Sequence, residues 1–349
     1  MLLCWRNAKL AAMKNIHLVI TDLFLPQETA AEACAGLKLP ALEKLLARAQ
    51  PAPLPEESLE AWLCATFGVL NQAIAATTLR ADGMEPGAAY WLRADPVHLR
   101  LQRDQLILQT DVRLPEGETQ QLCASLNTHF AGEGLCFLAP HPQRWYLRLD
   151  TEPGMTTHPL AQVAGRNVHS YLPQGPDALR WHGLLNEIQM LLFDHAVNQA
   201  REAHGALPIN SVWLWGGGRV AGQLARPFAK MYGDSDLAGM FAKAADIPCG
   251  PLPDDVAHCF EDDGGDILIV CEKLRHALQR GDLHAWRGEL QRLEQCCAAP
   301  LLGALRAGRI AQLTLDVLQT GTAQRFMLTR GAGWKLWRQA KPLVCFSVK

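Results

Sequence analysis

Apolar positions along the chain fall into two rhythms. Residues 15–21, NIHLVIT, form a β-branched apolar run that ends at Asp22, the pattern of a buried strand with an acid at its carboxyl end. GGDILIVCE (264–272) and RIAQLTLDVL (309–318) read as two more buried strands. Between 88 and 111 apolar and polar residues alternate, which predicts at least two short strands. GLCFLAPHPQRWYLRLD reads as a hairpin with Pro140 and Pro142 at its turn.

Helical spacing appears at 41–50, from Ser58 onward, at 117–131, and from 282 to 308. Leu184, Ile188, Leu191 and Leu192 mark the apolar face of a further helix, for which Gly205 serves as a C-terminal cap. Asp194, Asn198 and Arg201, spaced i, i+4 and i+7, are expected to share its other face. Strands alternating with helices predict an α/β fold, a mostly parallel sheet covered by helices, with a small inserted α+β domain. The expected boundaries are 13–105 and 183–349 for the core, 106–182 for the insertion, and 1–12 for an N-terminal extension, with Met13 as a second candidate start.

Composition narrows the function. The 349 residues are 49% hydrophobic and carry a formal net charge of -2, with no long block of one sign, so nothing in the charge points to nucleic acid as a partner. No apolar run reaches the ~20 residues of a membrane span. The 11 cysteines are scattered without a CxxC pair or a zinc spacing, as expected of reduced thiols in a cytoplasmic protein.

The chemistry-bearing stretch is INSVWLWGGGR. Trp213 and Trp215 point to one side of a strand, and Gly216, Gly217 and Gly218 follow, read as a turn able to form an anion nest, with Arg219 beyond. The bland alternative, core indoles before a simple turn, has the greater weight on composition alone. RADPVHLRLQRD gathers Arg93, Asp95 and His98 as a polar wall or as an exposed edge. Arg166, Asn167, His169 and Tyr171 sit in a linker. EDDGGD (261–266) reads as a solvated turn, and Ser58 as a helix N-cap.

The segment DHAVNQAREAHGALPINSVWLWGGGR resembles one in the archaeal-type cofactor-independent phosphoglycerate mutases, matching at His195, Asn198, Arg201, Asn210, Trp213, Trp215, Gly216 and Gly218 among others. The whole chain is similar to bacterial RpfE-type regulatory proteins. The resemblance implies an alkaline-phosphatase-like core. It puts Ser58 at the nucleophile, Asp22 and Asp316 at metal-ligand positions, and Arg93, Asp95, His195, Asn198, Arg201, Asn210, Trp213, Trp215, Gly216 and Gly218 around a ligand, to which the residue pattern itself adds His98, Gly217 and Arg219. It also implies two divalent metals, manganese or zinc, in an active enzyme. By the same pairing, Arg275 and Gln279 stand where an Asp and a His ligand belong, and Val317 where a His belongs. An arginine offers a metal no lone pair. The expectation is therefore a catalytically inactive regulatory relative without a cofactor, binding a phosphorylated or carboxylated metabolite. Two alternatives stand beside it. One is an active mutase or phosphatase with ligands drawn from His98, His169, Glu272 or His276. The other is a protein–protein adaptor with a vestigial pocket.

Overall fold

The computed structural model describes residues 14–220, 222–260, 264–319, 321–332 and 338–347. The N-terminal extension, the second candidate start at Met13 and the first three acids of EDDGGD lie outside them. The chain forms two compact units, one running to Trp62 and resuming at Ala225, the other Leu63–Leu224. This division differs from the expected insertion at 106–182. The reason is a strand pairing that spans more than a hundred residues, described below for the second unit.

The first unit is built on a seven-stranded sheet. Its strands in chain order are β1 (Lys14–Thr21) and β2 (Gln50–Ala52), then, after the second unit, β8 (Lys230–Gly233), β9 (Cys249–Pro251), β10 (Ile267–Cys271), β11 (Ile310–Gln319) and β12 (Thr322–Thr329). Their spatial order is β2-β12-β11-β1-β10-β8-β9. The pairs joining β11, β1, β10, β8 and β9 are parallel, and β12 and β2 close one edge antiparallel. The sheet is mostly parallel with helices packed on it, the α/β architecture expected. Ile16, Leu18 and Ile20 of β1 share one face with Leu313, Leu315 and Val317 of β11, and that face meets the helices Pro40–Arg48, Leu283–Leu293 and Ala299–Ala307. Between the last two helices lies a π-helical turn, Glu294–Ala298. It aims the buried Glu294 carboxylate at the free N–H groups of Ala41 and Leu42, at 2.7 and 2.8 Å. A distant acid thus caps the Pro40 helix, whose own N-cap Leu39 has no side-chain acceptor.

The second unit carries an antiparallel sheet of β3 (Tyr90–Gln102), β4 (Gln105–Gln109), β5 (Leu135–His141), β6 (Arg144–Leu149) and β7 (Ser211–Gly218). β3 is one 13-residue strand. It pairs β6 on one edge, β7 on the other and β4 at its end. The β3–β7 pairing is why residues 63–105 and 183–224 join this unit and not the first. One sheet face packs on the helices Glu116–His129 and Ala178–Phe193 through residues such as Leu92, Leu147 and Leu214. The other packs on the helix Ile74–Ala81 through Trp91 and Tyr146.

Candidate functional site

In a parallel sheet, ligand chemistry collects beyond the carboxyl ends of the strands, at the point where connections diverge to the two sides. Asp22 follows β1 and Asp316 lies toward the carboxyl end of β11, the strand paired beside it. Asp22 ends β1 with a left-handed φ of 52°, its N–H bonded to Leu318 O at 2.9 Å and its carbonyl accepting from the Trp286 indole at 3.2 Å. Aspartate is among the few residues that tolerate this conformation. Its carboxylate accepts from Arg275 Nε at 2.8 Å. The same guanidinium reaches Glu272 Oε1 at 3.4 Å through Nη1. Glu60 stands close enough to interact electrostatically with both. Arg275, Glu272 and Glu60 are all buried. Burial pushes the Glu60 carboxyl above the usual range, against the pull of Arg275. Burial also opposes the charge on Arg275, yet Asp22, Glu272 and Glu60 together hold its pKa above the ordinary arginine value. One cation of the chain therefore sits among three acids.

Asp316, on β11, is fully buried and just as fully engaged. Arg325 donates to both of its oxygens at 2.7 Å, His17 Nε2 lies 2.7 Å from Oδ2, and the Trp62 indole donates to Oδ2 at 2.8 Å. Burial works to raise its pKa, but the bonds from Arg325 and His17 win and bring it down to about 2. His17 was missed by the sequence reading. Its signal was a polar residue inside an apolar strand, pointing away from Ile16, Leu18 and Ile20.

These donors do not fit a dinuclear metal centre. Among the described residues, no group of three or more His, Cys, Asp or Glu is placed to hold an ion. Asp22 faces a guanidinium, and the acceptor capacity of Asp316 is taken up by two cationic or potentially cationic groups and an indole. Ser58 Oγ accepts from the Ala61 N–H at 3.2 Å, the N-cap role expected from its sequence position.

The expected ligand residues lie in the second unit, where their polar groups turn inward. Asp95 Oδ1 accepts from Arg93 Nε and Nη2 at 3.1 and 2.7 Å, and Oδ2 accepts from the Trp215 indole at 2.7 Å. The Arg93 guanidinium lies over the rings of Trp215 and Tyr146, 5.2 and 5.4 Å from their centroids. Trp213 donates to His158 O at 2.8 Å. Asn198 donates to Leu192 O and Ile209 O and accepts from Ile209 N. Arg201 binds Leu207 O and Glu118. Asn210 exchanges two bonds with the Leu99 main chain, and His98 Nδ1 lies 2.9 Å from Pro208 O. Asp194 lies between two helices, not on one, because the chain breaks there and His195 caps the helix Ala196–Ala203 with Nδ1 accepting from Val197 N. Its Nε2 is 2.9 Å from Ser125 Oγ, and burial lowers its pKa.

The three glycines correct a sequence expectation. They form no turn after the strand but continue β7 to its end. A Cβ on Gly218 would stand 2.5 Å from Ala73 Cβ and 2.7 Å from Ala73 Cα, and one on Gly217 would strike the Tyr90 hydroxyl. Close backbone packing at the start of the Ile74 helix, not an anion nest, explains them. Arg219 donates to Ala88 O and lies over the Tyr90 ring. Asp266 of the EDDGGD segment accepts from the main chain and side chain of Asn15.

A shallow hollow, open to solvent, lies at the carboxyl ends of β8 and β10, lined by Asp234, Cys271, Lys273, Glu289 and Arg292 among others. Arg292 is ion-paired to Glu289 and Asp254. The Lys273 ammonium acts electrostatically on the Asp234 carboxylate, whose pKa burial nevertheless raises.

The chain is 33% identical over 97 residues to a probable 2,3-bisphosphoglycerate-independent phosphoglycerate mutase of Geobacter sulfurreducens, a match covering 28% of the chain and 23% of that protein. It is 28% identical over 132 residues to the 2,3-bisphosphoglycerate-independent phosphoglycerate mutase of Methanosarcina acetivorans, covering 37% of the chain and 32% of that protein. This chain is similar to the 2,3-bisphosphoglycerate-independent phosphoglycerate mutases. The matches thus span about a quarter to a third of those relatives. The fold is shared more widely: the PH0037 protein of Pyrococcus horikoshii superposes with a TM-score of 0.51 at 10% identity, over 91% of this chain and 87% of that one. The mixed α/β, alkaline-phosphatase-like core expected from the sequence is the fold observed. No family model matches the chain. Among the described residues, no helix is long and apolar enough to cross a membrane.

Proposed function

We propose that this chain is a catalytically inactive, regulatory relative of the phosphoglycerate mutases, one that works without metal by binding a small phosphorylated or carboxylated metabolite. The observation that carries this reading is the Arg275 guanidinium held between Asp22 and Glu272. A two-metal centre makes an alkoxide at neutral pH and neutralises a transferring phosphoryl group. Arg275 neutralises the acids but cannot acidify a hydroxyl, and Ser58 Oγ is spent on a helix end. The similarity to enzymes named for phosphoglycerate suggests the class of ligand. The hollow offers that class the Lys273 ammonium, which also acts on the Asp234 carboxylate, whereas Arg292, Arg93, Asn198 and Arg201 bond to their own unit.

The test uses the full chain purified without chelator and then offered manganese or zinc. Expected are no bound metal, no interconversion of 2- and 3-phosphoglycerate, and calorimetric binding of 3-phosphoglycerate that Lys273→Ala weakens at least about tenfold, as loss of a charge-assisted bond predicts. Two metal equivalents with turnover abolished by Ser58→Ala would establish the enzyme alternative and overturn this reading.

A further inference from the structure

The helix Ala178–Phe193 buries Trp181, Leu184, Leu185, Ile188 and Leu192 against its own sheet. Its opposite side exposes large apolar residues among polar ones. Leu179, Met190 and Phe193 are exposed at 86%, 74% and 77%. With Gly183 and Asn186 they repeat at i, i+4, i+7, i+11 and i+14, a single stripe along about four turns. Glycine inside a helix weakens it, and a Cβ on Gly183 would meet nothing in this chain. Such a stripe has the spacing of a helix-pairing seam.

Charge identifies the partner. The flank of the stripe carries Arg180, Glu187 and Asp194, again seven apart. Arg180 lies in the first turn and Asp194 at the C-cap, so each faces the end of the helix dipole with its own sign. Among the described residues, neither side chain has a hydrogen-bond or ion-pair partner. An antiparallel copy of the same helix answers both. A two-fold axis at Asn186 sets Leu179 against Phe193 of the other copy, Gly183 against its Met190, and Asn186 against Asn186. The same rotation brings Arg180 beside the other copy's Asp194 twice. Glu187 meets its own copy at the centre, where His129 of the same chain lies 3.3 Å from its carboxylate.

We propose that this chain forms a two-fold symmetric homodimer through the exposed face of the helix Ala178–Phe193, with Arg180 and Asp194 paired across the axis. The interface is self-complementary, as a two-fold contact requires. One helix pair is a small interface, so association belongs on the order of micromolar.

The test is sedimentation velocity on the full chain up to about 100 µM. Expected is a concentration-dependent species of twice the chain mass. Arg180→Glu, which sets like charges together twice per dimer, is expected to weaken association at least about tenfold. Arg180→Glu combined with Asp194→Arg restores the opposite signs and is expected to recover the dimer. Met190→Glu is expected to abolish it. All three sites are exposed, and circular dichroism establishes that each variant is folded. A wild-type chain that stays monomeric overturns the proposal, leaving the face to another occupant. So does a dimer that neither Arg180→Glu nor Met190→Glu weakens, or a charge swap that fails to restore what Arg180→Glu removes.

Discussion

Replacing Arg275 with alanine removes the one cation that serves three acids. Asp22 loses its 2.8 Å bond and Glu272 its 3.4 Å contact, while Glu60 loses the largest of the attractions set against its burial. Deleting one partner of a buried ion pair costs about 3–5 kcal/mol, because the other charge stays behind. The lower end applies here, since the Asp22 side chain keeps 20% of its surface in water. A loss of about 3 kcal/mol lowers the melting temperature of a unit this size by roughly 6–12 °C. The loss carries a pH signature. Burial already holds the Glu60 carboxyl above its unfolded pKa and the guanidinium opposes that rise, so removing Arg275 widens the gap and the variant's deficit grows as pH rises. Scanning calorimetry on parent and variant near pH 5 and near pH 8 reads both quantities. A deficit within about 1 °C at the higher pH, or one equal at both, would refute the idea that Arg275 neutralises these acids.

Two further outcomes follow from the same kind of reasoning. Asp316 titrates at about 2 in the folded chain against ~3.9 unfolded, so its contribution of about 2–3 kcal/mol is complete above pH ~4 and is lost as pH falls toward 2. Urea midpoints across that range should show a steep acid limb in the parent and a flatter one in Asp316→Asn; parallel limbs would contradict the assignment. Asn198→Ala strands the Ile209 N–H and two carbonyls inside the second unit, and chemical denaturation should register a loss of about 2–3 kcal/mol with 3-phosphoglycerate binding unchanged in the folded fraction.

Much of the scaffold was legible because period and burial agree. The run from Asn15 to Thr21, the apolar IleLeuIleValCys strand and the Leu184/Ile188/Leu192 face each state their structure locally. The pairing of β3 with β7 was not legible, since no local signal says which distant strand will lie alongside, and it displaced the expected domain boundary. Polar residues were harder still. Asn198, Arg201 and Asn210 look the same in sequence whether they face a ligand or a carbonyl of their own chain, and here the carbonyls have them. The glycines of β7 misled for a related reason: glycine marks close approach, and the approaching group is Ala73. Arg275 was readable as an unsuitable metal ligand; that it forms its own ion pair with Asp22 required the fold.

The position of β1 also sets an order of events during synthesis. Its two neighbours, β10 and β11, begin at Ile267 and Ile310, so the strand must wait for almost the whole chain to leave the ribosome. At about 5–20 residues per second that wait is roughly 10–50 s. The second unit, by contrast, is one continuous segment and has all its strands before residue 225. It can close while β1, with its bare apolar edge, is still single. That interval is when the nascent chain is most exposed to mispairing, and a chaperone that holds the first sixty residues would act there.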